Sequence, residues 1–161
     1  MANTTYKKIA DALFDKIKDY TFLQLDESTA YEIVINYIRP AIVKFENCKQ
    51  DLSDRDEELA EFNFILSDET FIILVNYMVI EWLDSNYILT ANALKSRLSS
   101  SDFHSLNLHN QLSKAMELRD TLKSENDQLA INRSYKGSKL FELGKNRKKV
   151  RYEPSTYERT N

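Results

Sequence analysis

The chain has 161 residues, 42% of them hydrophobic and 29% charged, which excludes intrinsic disorder and leaves room for one domain with a core of its own. A single cysteine, Cys48, excludes an internal disulfide, and only two glycines argue for helices, because sheets need glycine at tight turns and bulges. The formal net charge of −3 conceals a division near Asn132: residues 1–131 carry 13 Lys/Arg against 22 Asp/Glu, a net −9, whereas 132–161 carry 9 against 3, a net +6, together with both glycines, Gly137 and Gly144.

The polar start Met1-Ala2-Asn3-Thr4-Thr5 has no hydrophobic leader character, so no signal peptide is expected. From about Thr5 to Tyr20, Ile9, Leu13, Phe14 and Ile17 recur at helical spacing with lysines and aspartates opposite. Leu25-Asp26-Glu27-Ser28-Thr29 supplies N-cap residues for a second helix, whose stripe is Ile33, Val34, Tyr37, Ile38, Ala41, Ile42 and Phe45. Pro40 lies inside that stripe and removes a backbone donor, which predicts a kink or break near Tyr37. Residues 46–61 are polar and acidic and read as an exposed loop or the solvated end of a helix.

Ser67-Asp68-Glu69 predicts the cap of the most hydrophobic helix, Thr70 to Leu83. It is apolar nearly all round, so it is expected to be the central post of the fold or to lie partly in a subunit interface, with Phe71, Leu74, Met78 and Trp82 in the core. At 13 residues, and with Asn76 and Glu81 inside it, the apolar run from Phe71 is too short for a membrane span. Asp84-Ser85-Asn86, Ala91 to Lys95 and Ser99 to Asp102 suggest a turn, a short helix and a second turn. A long helix follows from about Leu106 to Ala130, with Leu108, Leu112, Met116 or Ala115, Leu118, Leu122 and Leu129 as its stripe. The heptad is not sustained, which argues against a coiled coil. Periodicity ends after Asn132, and an extended segment is expected there, with a short strand or hairpin at 139–143 or 148–152. The sum is an all-α fold, a small bundle of about four to five helices, with residues 1–131 as its domain and 132–161 as an extended basic C-terminal arm.

No catalytic constellation is evident, and no enzyme is expected. His104 and His109 are five apart, whereas a helical zinc pair needs four and a nearby carboxylate, so no metal is expected. Cys48 has no CxxC partner and reads as an incidental thiol. A body without glycine excludes the P-loop and dinucleotide fingerprints, and no cofactor is expected. The carboxylates of 54–61 lack the Asp/Asn spacing and glycine of an EF-hand loop.

The C-terminal segment is where residue types imply an interaction. Lys145, Arg147, Lys148, Lys149 and Arg151 form a dense basic run, with Tyr135, Phe141, Tyr152 and Tyr157 interleaved. The cations suit phosphates and the rings suit stacking on single strands, so one reading is a small helical nucleic-acid-associated protein. The other is an arm that docks on a neighbouring protein subunit, with Tyr152, Tyr157 and Phe141 as anchors; an inert tail seldom keeps so many large rings.

The pattern Phe62-x-Phe64-x-Leu66-Ser67-Asp68-Glu69, followed by Ile73-Leu74 and by Tyr77-Met78-Val79-Ile80-Glu81-Trp82-Leu83, resembles structural proteins of the head–tail module of tailed bacteriophages of low-GC Gram-positive hosts. Ser101-Asp102-Phe103-His104-Ser105 would match their turn before a long helix, and the likeness covers about 62–135. The wider resemblance is to small all-helical head–tail adaptor (connector) proteins. It implies a ring of copies, dodecameric, below the portal in the virion neck and assembled in the host cytoplasm. The portal protein and the next neck or tail component would be partners, DNA would pass through the channel, and no membrane would be involved. An acidic body would then repel phosphates and let DNA slide, which predicts a lumen lined by residues such as Asp54, Asp56, Glu57 and Glu58.

Overall fold

A computed structural model describes residues 3–17, 19, 22, 24–90 and 108–136. The chain opens with strand β1 (Thr4–Thr5) and helices α1 (Tyr6–Ile17), α2 (Glu27–Ile35) and α3 (Ile38–Lys44). Strands β2 (Arg55–Asp56) and β3 (Glu61–Phe62), helix α4 (Asp68–Leu83), a π-helical turn (Asp84–Leu89) and helix α5 (Leu108–Tyr135) follow. The fold is helical, as composition predicts, with one small sheet. No described helix is long and apolar enough to cross a membrane.

Local chemistry sets the helix ends. Asp26 caps α2 by accepting from the Thr29 amide, and Ser67 caps α4 by accepting from the Thr70 amide. Asp68 and Glu69 stand in the first turn of α4, where carboxylates meet the positive end of the helix dipole. The break near Tyr37 falls between α2 and α3: Asn36 ends one helix and Tyr37 begins the next. Pro40 is the third residue of α3, where its missing N–H would have had no intrahelical partner.

α4 is the central post, packed against α1, α3 and α5 of its own chain. Leu74 and Met78 are fully buried and Trp82 nearly so, while Phe71 is half-buried against the core with Lys8 over its ring. Ile9 and Leu13 of α1 reach the same core, as do Val34, Ile38 and Ala41. Phe14 and Ile17 lie half-buried at its edge.

Three stretches differ from the sequence reading. Residues 55–62 form a hairpin, not a plain loop, and β3 lies between β1 and β2, antiparallel to both. With no glycine available, Ala60 takes the left-handed position of the turn at φ 52°. Asp84-Ser85-Asn86 does not turn but widens the helix into π geometry, because Asn86 Nδ2 donates to the Trp82 carbonyl at 3.0 Å and Thr90 Oγ1 to the Ser85 carbonyl at 3.1 Å. On α5, Leu118, Leu129 and Met116 are exposed. The face against α4 and the π turn is instead Leu112, Ala115, Arg119, Leu122, Asn126 and Ala130, all buried or half-buried. That face carries two polar residues, so following the leucines leads to its flank. The expected short helix at 91–95, the turn at 101–105 and the strands at 139–143 and 148–152 lie outside the described residues.

Candidate functional site

Of the arm residues singled out from the sequence, Tyr135 is described: it ends α5 and is exposed. Phe141, Lys145, Arg147, Lys148, Lys149, Arg151, Tyr152 and Tyr157 lie outside the described residues. α5 runs past the charge boundary at Asn132, and its end is fastened to the start of α4. Arg133 Nη1 bonds Glu69 Oε2, and its Nη2 donates to Ser67 Oγ at 2.7 Å. Lys136 Nζ reaches Glu69 Oε1 at 2.6 Å, and Lys49 Nζ donates to the Lys136 carbonyl. Hydrogen bonds from Lys136 and Arg133 hold the Glu69 carboxyl below its usual range. The first two cations of the basic segment are thus engaged with the body, and the chain beyond Lys136 leaves from a helix end bonded to the start of α4.

A polar relay crosses the bundle between α1, α4 and α5. Lys16 Nζ donates to Asn76 Oδ1, Asn76 Nδ2 to Asn126 Oδ1 at 2.9 Å, and Asn126 Nδ2 to the Ile73 carbonyl at 3.1 Å. Asn126 is 1% exposed, so its amide needs these partners. At the next residue of each helix, Tyr77 Oη donates to Asp127 Oδ1 at 2.7 Å. Burial first and that bond second push the Tyr77 hydroxyl pKa up. Burial pushes the Lys16 ammonium down.

Beside this relay lies an open apolar groove of about 730 Å³ between the end of α1, the second half of α4, the π turn and the first half of α5. Val79, Trp82, Leu83, Tyr87, Leu118 and Leu122 form its apolar wall. Its charged lining is Lys16 and Lys114, with no carboxylate among the described lining residues. The Trp82 and Tyr87 rings meet edge to face at 5.2 Å. Trp82 Nε1 is buried and finds no acceptor among the described residues. The sequence reading missed this groove; Leu118, one residue off the α5 packing face, was its visible trace.

The acidic residues expected to face a channel serve the hairpin. Asp54 Oδ1 accepts from Asn63 Nδ2 at 2.7 Å, and Asp56 Oδ1 accepts from the Glu58 and Leu59 amides at 2.9 Å each. Glu57 pairs with Arg55 at 2.8 Å and Arg39 at 3.2 Å. Glu58 alone of the four has a side chain without a bonded partner among the described residues.

For metal or nucleophile chemistry, no group of three or more His, Cys, Asp or Glu suited to a cation occurs among the described residues. His104 lies outside them, and His109 falls in the first turn of α5. The Cys48 thiol is half-buried, and burial pushes its pKa up, away from the reactive thiolate. Compared with family models, with curated proteins and with solved structures, the chain has no match.

Proposed function

We propose that this chain is a structural head–tail adaptor of a tailed phage: a helical body that joins a dodecameric ring below the portal, with the chain beyond Lys136 as an arm gripping the portal or the next neck component. DNA passes through the ring in this reading. The observation that carries it is the fastened end of α5. Glu69 and Lys49 bond the last turn, so the basic, aromatic segment starts from a helix end tied to the body, as an assembly arm requires, and Arg133 and Lys136 already serve the body. The sequence pattern behind the resemblance supports it too. Its residues form β3, the Ser67 cap and α4, a packing hub whose job is to hold the bundle.

The competing reading, a nucleic-acid-associated protein, makes the run 145–151 a phosphate site. Duplex DNA binding by the full chain, followed against salt, separates the two. Direct readers of phosphate lose affinity with a log–log slope of about 0.9 per contact. The adaptor reading expects weak binding that the five-residue neutralisation (K145Q, R147Q, K148Q, K149Q, R151Q) barely changes, while the same variant fails to join particles. Steep, salt-dependent binding abolished by that variant, with incorporation into particles intact, overturns it.

A further inference from the structure

The body carries a knob and a groove of matching chemistry at opposite ends. The knob is the β2–β3 turn. Leu59 at its tip is 68% exposed, and Glu57 and Glu58 precede it. The turn is built to hold that shape: Asp56 accepts from two successive tip amides, Ala60 is left-handed at φ 52°, and the Ala60 carbonyl accepts from the Tyr6 amide at 2.8 Å. A non-glycine residue in that conformation stores strain that the surrounding bonds must maintain.

The groove is the complement. It is apolar and is lined by two lysines and no described carboxylate in a body that is otherwise strongly acidic. Its occupant should bring an apolar side chain and a negative charge. The chain's own arm is basic and is disfavoured by Lys16 and Lys114. The turn has the right chemistry but is tied to Tyr6 at the start of α1, whereas the groove includes Ile17 at its end, about 16 Å away along the helix. A chain cannot seat its own turn in its own groove.

We infer that Leu59 and Glu58 of one copy dock in the groove between Trp82, Tyr87, Lys114 and Leu118 of the next. Because knob and groove are different surfaces, the contact is head-to-tail and repeats from copy to copy, closing into a ring where the rotation allows. The inference rests on the ring reading above and names the contact that would build it. Burial of Leu59 and Leu118 supplies the apolar contribution, and the Glu58–Lys114 pairing supplies direction and register.

The test is site-directed cross-linking of the full chain in a C48A background. L59C and L118C chains are mixed and treated with a short bismaleimide, and V43C, another highly exposed apolar position, replaces L59C as the control. Positions 43, 58, 59, 114 and 118 are exposed, and the half-buried Cys48 is replaced in every sample, so target and control share any effect of that change. The expected result is an L59C–L118C product and little with V43C. Either charge reversal, E58K or K114E, should weaken it about tenfold, and combining the two in opposing chains should restore it. No product, an equal product with V43C, or no restoration by the paired reversal overturns the contact. Protection of the L118C thiol from modification in the lone chain, with no intermolecular product, would place residues 91–107 in the groove and overturn it equally. Imaging the same samples keeps the two readings apart: rings without the L59C–L118C link remove the contact and leave the ring, whereas the link in open chains alone keeps the contact and removes the ring.

Discussion

Asn76 on α4 donates to Asn126 on α5 at 2.9 Å, with Asn126 only 1% exposed and Asn76 half-buried at the wall of the apolar groove. Asn126 also donates to the Ile73 carbonyl, so its amide spans two points on α4 and is satisfied at one axial setting of the helices. Apolar neighbours such as Leu122 and Ala130 would tolerate a shift; the amide pair would not. Asn126→Ala should therefore cost about 2–3 kcal/mol, from an orphaned Asn76 amide plus a small cavity. Urea unfolding checks this: the midpoint should fall with the slope unchanged. A loss below about 0.5 kcal/mol would mean that the relay is solvated.

The Arg133–Glu69 clamp makes a pH prediction. Folding lowers the Glu69 pKa from its ordinary 4.5, because Lys136 and Arg133 bond the ionised form. The unfolded chain takes up that proton near pH 4.5 and the folded chain at lower pH, so the clamp's contribution is full above 4.5 and is lost as pH falls through the lowered value. Hydrogen exchange at amides 133–136, taken relative to the intrinsic rate at each pH, should quicken in the same window. Arg133→Ala should quicken it at neutral pH, and added salt should act in the same direction. Exchange that ignores pH, salt and the substitution would show that the helix end is held by packing alone.

Trp82 separates area from hydrogen bonding. Trp82→Ala should cost about 3–5 kcal/mol by emptying the space between α4 and the Tyr87 ring. Trp82→Phe should cost clearly less, since it removes an indole N–H that has no acceptor among the described residues. Equal losses in denaturant unfolding would contradict that.

Ala60 tests the turn. Glycine removes the left-handed penalty but adds chain entropy and deletes a half-buried methyl, so Ala60→Gly should fall within about 1 kcal/mol of the parent. A β-branched residue is a steric outlier at this φ, and Ala60→Val should cost about 1–3 kcal/mol. Calorimetry or urea unfolding of the pair gives the comparison; valine as stable as glycine would contradict the left-handed turn.

Much of this architecture is legible in the sequence where one strong local signal acts alone. Asp26 and Ser67 declare their helices as caps, Pro40 declares the α2–α3 break, and the all-round apolar run declares α4 as the centre. Legibility ends where polar residues take packing roles. Asn86 looks like a turn former and instead bonds back to the Trp82 carbonyl to extend the helix. Arg119 and Asn126 occupy the inner face of α5, so its leucines mislead. The sheet is hidden because two-residue strands show no alternation, and its turn uses alanine where a reader looks for glycine. The groove arises from three stretches far apart in sequence, the end of α1, α4 with its π turn, and α5, and no local pattern announces such a surface.

The most direct measurement for the adaptor reading is immunogold labelling of tailed particles with an antibody raised against residues 1–131. The reading predicts label concentrated at the junction of capsid and tail, lost when the run Lys145 to Arg151 is neutralised. Label absent from particles, or spread over the capsid or the tail tip, would contradict it.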